Sequence, residues 1–376
     1  MIRRRRRLLL MVTFFLLTFL IYLTGINVCT KLDRQPQTHR RFLCLTNDIA
    51  LDLPDAHGLL VKPNILPVKW PFYYGNISQD DRRIFFHETS GLNELSLRQC
   101  CAIESAAKHN LDRPIQLFLR PPQNCSAGYY NLSLYSSHNP AWLEVLSQYS
   151  NIAVILINED HYFAGTSLEQ WYRKGEWRNS RYEKAHLSDY IRMLTLEQGG
   201  GLYLDMDILT LKAFQGNTFR NFLVYGSDRM EEISNGAMHF ERGHWFPSKI
   251  IRLIAEEYDP ESYIYHGPDA ITAIMNSVCG LVKRNPRSNH CDDVHLLSDR
   301  FFYPVPSIFS NILFQNNGNK SNKETLTQIN RSFGLHLWHS LSHLQPLQID
   351  SNQIAAVIAR QNCPITVART ADFKIL

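Results

Sequence analysis

One short apolar run, closed by two carboxylates a residue apart, constrains this chain more than any other part of it: Gly199-Gly200-Gly201-Leu202-Tyr203-Leu204-Asp205-Met206-Asp207. The apolar residues predict a buried strand, and the glycines before them predict the break between that strand and a preceding helix. A strand ending in Asp-x-Asp presents hard oxygen ligands at the carboxyl edge of an open α/β sheet, where such sheets bind ligands. That suits a divalent cation bridging the protein to a nucleotide diphosphate. A bare Asp-x-Asp arises by chance in many chains of this length, so its meaning depends on its surroundings.

Those surroundings alternate between strand and helix. Ile84-Phe85-Phe86 is a short strand, followed by the small polar loop His87-Glu88-Thr89-Ser90-Gly91. A helix is expected over 96–109, a strand over 115–119, a helix over 141–149 and a doubly buried strand over 152–157. A further helix, 183–198, leads into the glycines. Strands alternating with helices at this spacing predict an α/β fold with a mostly parallel, doubly wound sheet flanked by helices. Downstream, Asn235-Gly236-Ala237 is a turn signal, 250–258 is an amphipathic structural helix, and Gly267-Pro268-Asp269 opens a helix running to Cys279. His336-Leu337-Trp338-His339 reads as a strand.

The N-terminus sets the compartment. Arg3 to Arg7 are five consecutive arginines, and Leu8 to Ile26 follow with no charge. As a helix those 19 residues span roughly 28 Å, close to a bilayer's hydrocarbon thickness. The leading arginines place the N-terminus in the cytosol and the bulk of the chain across the membrane. A cleaved signal peptide would have a shorter apolar region and a small-x-small site, which the residues after Gly25 do not supply. The expected organisation is a cytosolic tail (1–7), a signal-anchor helix (8–26), a proline-punctuated stem (27–82) and a lumenal catalytic domain (83–376). The donor-binding part of that domain runs to about residue 230.

The net charge is +4, and without Arg3–Arg7 the balance falls to −1, so no basic patch calls for a nucleic-acid partner. The eight cysteines lack paired C-x-x-C spacing and suit disulfides in an oxidising lumen, Cys279 with Cys291 closing a short loop. Sequons start at Asn76, Asn124, Asn131, Asn319 and Asn330, each with a residue other than proline in the middle.

Around the Asp-x-Asp, Asp189 and Arg192 are three apart on one helix and share a face. A surface ion pair would account for them, as helix capping would for Asp269. Aimed at the same sheet edge as Asp205, however, they supply an acceptor and a donor for sugar hydroxyls or phosphate. A histidine such as His336 is more often packed or exposed than a metal ligand.

Read in order, Ser188-Asp189…Arg192…Gly200-Gly201-Leu202-Tyr203-Leu204-Asp205-Met206-Asp207 resembles the donor-site signature of A-type nucleotide-sugar glycosyltransferases, and within them the α1,4-glycosyltransferases. Phe85-Phe86-His87-Glu88-Thr89-Ser90, Glu104-Ser105-Ala106-Ala107, Trp171-Tyr172, Asn235-Gly236-Ala237, Phe240-Glu241-Arg242, Gly267-Pro268, Phe302 to Pro306 and His336-Leu337-Trp338 extend the resemblance, in one order, from about Ile84 to the C-terminus. Gly199 departs from it, standing where an aromatic residue is usual. His339 and Ser340 hold positions where relatives often have polar or basic side chains.

The resemblance implies an A-type fold and a type II Golgi membrane enzyme using Mn²⁺ or Mg²⁺. It implies UDP-Gal or UDP-GalNAc as donor, a glycosphingolipid as acceptor, and retention of the α configuration. Association with further copies or other Golgi proteins is also implied. Asp207 would bind the metal, with Asp205 and His336 completing the set and Asp205 also facing the ribose and donor sugar. Asp189 and Arg192 would hold the sugar and its phosphate, and Glu88 and Thr89 would lie near the nucleoside. Asn235 and Asp269 would line the reacting side, Asp269 as a catalytic residue beside Asp205 and Asp207. The alternatives are a hexosyl- or GlcNAc-transferase acting on glycoprotein glycans and a non-catalytic lumenal sugar-binding protein.

Overall fold

The computed structural model describes residues 81–91, 95–120, 141–157, 159–216, 219–227, 232–280, 290–291, 293–316 and 319–372. The expected anchor (8–26), nearly all of the stem, and the sequons at Asn76, Asn124 and Asn131 lie outside these residues. No helix among the described residues is long and apolar enough to cross a membrane.

The chain first lays down β1 (Ile84–Glu88), α1 (Leu97–His109), β2 (Ile115–Leu119), α2 (Ala141–Leu146) and β3 (Ile152–Leu156). Ser96 starts α1 through a capping box with Gln99, satisfying two backbone donors at the helix end. Helices α3 (Glu159–Phe163) and α4 (Glu169–Lys174) follow, then α5 (Glu183–Gly199), β4 (Gly201–Leu204) and β5 (Ile208–Thr210). Next come β6 (Phe222–Tyr225), β7 (Ile233–Phe240), α6 (Trp245–Glu256), a π-turn over Tyr265–Asp269 and α7 (Ala270–Cys279). The last part holds β8 (His290–Cys291), β9 (Val294–Leu297), a 3₁₀ segment Ser307–Phe314, α8 (Asn319–Ile329) and β10 (Gly334–His336). It ends with α9 (His339–Ser342), α10 (Ile354–Asn362) and α11 (Pro364–Ala368).

Eight strands form one sheet in the order β3-β2-β1-β4-β7-β6-β9-β8, and β10 pairs with β5 beside it. The β3-β2-β1-β4 half is parallel, while β7 runs antiparallel to β4 and β6. This is the mostly parallel, helix-flanked sheet the alternation predicts. Two large apolar clusters sandwich it, one holding Phe85, Tyr203 and Phe240, the other Phe86, Leu202 and Leu204. Phe85 and Phe86, like Tyr203 and Leu204, thus go to opposite faces, as a period of two demands. Helix α5 is buried along most of its length, which leaves it little room to carry a merely solvated face.

Two disulfides lie among the described residues. Cys279–Cys291 closes the short loop expected, and Cys101–Cys363 ties α1 to the turn after α10 across 262 residues. Closing so long a loop removes several kcal/mol of unfolded-chain entropy, ~2–5 kcal/mol in practice.

Five local expectations are corrected. Asn235-Gly236-Ala237 is no turn but the middle of β7, because its glycine serves a close approach described below. The strand at His336 ends there: Trp338 takes a left-handed φ of 54° and His339 begins α9. Strand β3 is an edge strand with Ala153 and Val154 only half-buried, and His87 and Glu88 belong to β1 rather than to a loop. The helix expected over 141–149 stops at Leu146.

Candidate donor and metal site

Strand β4 delivers Asp205 to the carboxyl edge of the sheet, and the turn into β5 brings Asp207 beside it. Asp205 N–H donates to Gly236 O at 2.7 Å, which locks the end of β4 onto β7. The third member arrives on β10: Leu335 pairs with Leu209, and Leu337 N–H donates to Asp207 O at 2.8 Å. His336 Nε2 then lies 3.2 Å from Asp207 Oδ1 and 3.8 Å from Asp205 Oδ2. Trp338 N–H donates to His336 Nδ1 at 3.0 Å and fixes the ring with Nε2 toward the two carboxylates. His339 N–H donates to Asp207 Oδ2 at 2.7 Å, so the left-handed turn at Trp338 completes the carboxylate's shell.

These three side chains form the metal-competent group among the described residues, their ligand atoms all within 4.8 Å of one another. Two carboxylates facing each other need a counter-charge. Arg192 provides one at Asp205, and His336 turns Nε2 to both carboxylates while Nδ1 accepts from Trp338; Asp207 and Asp205 raise the His336 pKa against burial. A divalent cation fits the same place, with two carboxylate oxygens and one imidazole as its donor set.

Arg192 organises the other side. Its Nη1 lies 3.0 Å from Asp205 Oδ1 and donates to Asn235 O at 2.9 Å. Nη2 meets Asp189 Oδ1 at 3.3 Å and Ser188 Oγ at 2.6 Å, and Nε donates to Ser188 O at 3.1 Å. The guanidinium thus makes three hydrogen bonds, to Ser188 O, Ser188 Oγ and Asn235 O, and two ion pairs, to Asp189 and Asp205. Within the protein the side chain orients the carboxylates. Burial alone would raise the Asp205 carboxyl, yet Arg192, His336 and the Tyr203 hydroxyl hold it well below the usual range. Asp189 behaves oppositely, pushed up to about 6 by burial despite Arg192. Asn235 Nδ2 donates to Asp189 Oδ1 at 2.8 Å, leaving Oδ2 for a ligand.

Two glycines make this closeness achievable. A Cβ on Gly236 would stand 2.7 Å from Asp205 Oδ2 and 2.9 Å from the Tyr303 hydroxyl, and one on Gly267 would stand 2.3 Å from Asn235 Nδ2. The sheet register carries Glu88 to the same edge, since Phe85 pairs with Tyr203 and β1 runs on to Glu88. Glu88 accepts from Ser90 N–H at 2.7 Å through Oε1, while Oε2 is buried without a hydrogen-bond partner among the described residues, and burial raises its pKa. Thr89 donates to Lys184 O in the first turn of α5, at 3.2 Å.

The structure therefore assembles Asp205, Asp207, His336, Asp189, Arg192 and Asn235, with Glu88 and Thr89 along the same edge. Asp269 is exposed, its charge felt by Glu232 rather than by the cluster. Asn330 is exposed, as glycan attachment requires, and the side chain of Asn319 lies outside those described. Tyr203, Ser234 and Tyr303 were not anticipated. Tyr203 donates to Asp205 Oδ1 at 2.7 Å and carries the Arg192 guanidinium 4.5 Å over its ring. Tyr303 packs on His336 and bonds Ser234 at 2.7 Å. The positions of Tyr203 inside the motif and of Tyr303 inside the Phe302–Pro306 run were usable signals; nothing local marks Ser234. The unusual Gly199 is explained by Arg83, whose guanidinium fills the space a side chain would need.

The sequence model of the glycosyltransferase sugar-binding region containing DXD motif matches residues 97–223, and that of the alpha 1,4-glycosyltransferase conserved region matches 239–370. Lactosylceramide 4-alpha-galactosyltransferase of Rattus norvegicus is 27% identical over 285 residues, 75% of this chain and 74% of that protein. The Homo sapiens protein of that name is 25% identical over 287 residues, 75% of this chain and 76% of the relative. Alpha-1,4-N-acetylglucosaminyltransferase of Homo sapiens is also 25% identical over 287 residues, 76% of this chain and 79% of the relative.

Proposed function

As the chain belongs to the α1,4-glycosyltransferases and is a UDP-sugar-dependent enzyme, we propose that it transfers galactose or N-acetylgalactosamine, with retention, to the terminal sugar of a glycosphingolipid. The observation that carries this is the convergence of Asp205, Asp207 and His336 beside the Asp189–Arg192–Asn235 group. A non-catalytic sugar binder need not keep a built cation site of this kind.

When bound there, Mn²⁺ or Mg²⁺ supplies charge neutralisation for the departing diphosphate. Asp207 and His336, fixed by β10, hold the cation's place, and Asp205 links it to the sugar side. Asp189 Oδ2 accepts from a donor-sugar hydroxyl, held by Asn235 and Arg192 so that little freedom is lost on binding. The orphaned Oε2 of Glu88 offers a buried acceptor to an imide N–H, as a uracil presents. Asp269, on the exposed side of the π-turn, faces the approach of the acceptor.

The organisation proposed is a type II Golgi membrane enzyme, supported by Arg3–Arg7, the apolar residues 8–26, two disulfides and an exposed Asn330. Similarity at the same identity to an N-acetylglucosaminyltransferase favours one second possibility, UDP-GlcNAc transfer to a glycoprotein glycan. The test is a screen of UDP-Gal, UDP-GalNAc and UDP-GlcNAc against glycolipid and glycoprotein acceptors with Mn²⁺. An α1,4 product on a glycolipid from UDP-Gal or UDP-GalNAc is expected; product formed solely from UDP-GlcNAc on glycoprotein overturns the proposal.

A further inference from the structure

The surface next to the cation site carries almost no charge and exposes four large apolar side chains. From Phe302 to Asn319, and again from Ser332 to Ile349, the sequence contains no Asp, Glu, Lys or Arg. The two stretches pack together: Trp338 Nε1–H donates to Val305 O at 2.8 Å, and α9 lies against the 3₁₀ segment Ser307–Phe314. Ile308, Phe309, Leu341 and Leu344 are 78%, 53%, 60% and 83% exposed on them. Half of the eight large exposed hydrophobics among the described residues are thus gathered on two abutting segments. Scattered exposed apolar side chains are ordinary, whereas a gathered set marks a surface that meets something.

These residues do not belong to a frayed tail. Leu341 N–H and Ser342 N–H both donate to Trp338 O at 2.8 Å, and Phe309 N–H donates to Pro306 O at 2.9 Å. Arg98, from α1, donates to Ser342 O and Ser342 Oγ at 3.0 Å each. The apolar side chains are therefore held outward by ordered backbone. They also share a turn of chain with the chemistry, since α9 starts three residues after His336 and its first N–H bonds Asp207.

We propose that Ile308, Phe309, Leu341 and Leu344 form a rim that dips into the interfacial layer of a bilayer and brings the head group of an embedded glycolipid to the carboxylate cluster. This rests on the glycosphingolipid acceptor proposed above. A bilayer fits because neither stretch brings an acid, lysine or arginine to desolvate on entering the interfacial layer. The chain also carries its own apolar segment of bilayer length at residues 8–26, which keeps the domain at a membrane. Finally, a head group of a few sugars keeps its reacting hydroxyl near the bilayer plane, so a site serving it must itself face that plane.

The test uses the full chain reconstituted in vesicles with Mn²⁺ and the donor found in the screen. Ile308→Ser, Phe309→Ser, Leu341→Ser and Leu344→Ser are combined. Transfer to a vesicle-embedded glycolipid should fall ~10-fold or more, since several interfacial anchors are lost together. Transfer to the free head-group oligosaccharide, and hydrolysis of the UDP-sugar, should be unchanged. Equal loss on both acceptors, or loss on neither, overturns the rim. If the parent chain uses no glycolipid at all, the acceptor proposal fails, and insertion is then judged separately. For that, Leu344→Cys carries an environment-sensitive fluorophore, with the labelled parent chain as background. Quenching by lipids spin-labelled high on the acyl chain supports the rim. An unquenched probe overturns it, as does a probe shielded only by self-association of the chain.

Discussion

Arg192 Nη1 reaches from α5 to Asp205 Oδ1 at 3.0 Å, so the residue before the motif and the first carboxylate within it form one buried unit. The same guanidinium holds Asp189 and the backbone of Asn235. Removing it as Arg192→Ala leaves two carboxylates without their cation, and a broken buried pair costs about 3–5 kcal/mol. Arg192→Lys keeps the charge but loses the planar fork that serves several acceptors at once. Transfer should fall at least ~100-fold in the alanine variant and ~10-fold or more in the lysine variant, since one acts on charge and the other on geometry. Steady-state kinetics with urea unfolding checks both, and a fully active lysine variant would show that the fork is dispensable.

Asp189 works against stability. Burial pushes its pKa up to about 6, with Arg192 opposing and Asp205 adding to the rise. A raised pKa in a carboxyl means that the folded state prefers the protonated form, so the charged form at neutral pH is a cost. Asp189→Asn, which imitates that protonated form, should stabilise the protein by on the order of 1–3 kcal/mol at pH 7.5 while weakening donor binding. The advantage should shrink as pH falls through 6, where the parent takes up its own proton. Melting temperatures of the two proteins from pH 4 to 8 decide it, and a difference independent of pH would refute the assignment.

Much of this site was legible because its residues sit at strand ends and on one helix turn. The three-residue spacing of Asp189 and Arg192, the Asp-x-Asp after an apolar run, and the alternation of strands with helices all report local geometry. What could not be read locally is what the tertiary fold decides. Asn235-Gly236-Ala237 has the composition of a turn, yet it stays in β7: Ala237 pairs with Leu204 of β4, and β6 pairs on either side of it, at Ser234 and His239. His336 resembled one histidine among many, and only the β10–β5 pairing brings it to Asp207. Tyr303 and Ser234 meet across 69 residues, a separation that carries no pattern along the chain.

Gly236 offers a steric test of how tightly the site is built. A methyl group there would press on Asp205 Oδ2 and on the Tyr303 hydroxyl, neither of which is the free end of a flexible chain. Gly236→Ala should displace the carboxylate and cut turnover by ~100-fold, because misplacement of about an ångström is enough for such a loss. Far-ultraviolet circular dichroism should be unchanged. Normal turnover would mean that Asp205 has room to spare.

Asp207→Asn separates the cation from the fold. The amide keeps the side chain's size and an oxygen able to accept the His339 N–H bond, but it gives up the charge that binds a hard cation. Mn²⁺-dependent transfer should disappear, with melting behaviour close to that of the parent. The measurement is Mn²⁺ binding by calorimetry alongside transfer assays; near-normal turnover in the purified variant would remove Asp207 from the metal's ligands.

Arg98 lies outside the cluster yet acts on it through the turn at Trp338. Its guanidinium packs 4.2 Å over Phe314 and donates to Ser342 O, Ser342 Oγ and Gln345 O. Ser342 Oγ in turn donates to Leu337 O at 2.7 Å, the residue whose N–H bonds Asp207. This chain of bonds holds Trp338 in its left-handed conformation, which an L side chain rarely adopts unaided. Arg98→Met keeps the apolar stem but frees α9, so His336 and the His339 N–H should no longer be held against Asp207. As a positioning residue, Arg98 should affect assembly of the cation site more than chemistry. The expected result is ~10-fold weaker Mn²⁺ binding, about 1.4 kcal/mol, with kcat largely recovered at saturating Mn²⁺. Arg98→Lys should restore part of the affinity through a single donor. An unchanged Mn²⁺ affinity in the methionine variant would show that the turn holds its shape without the clamp.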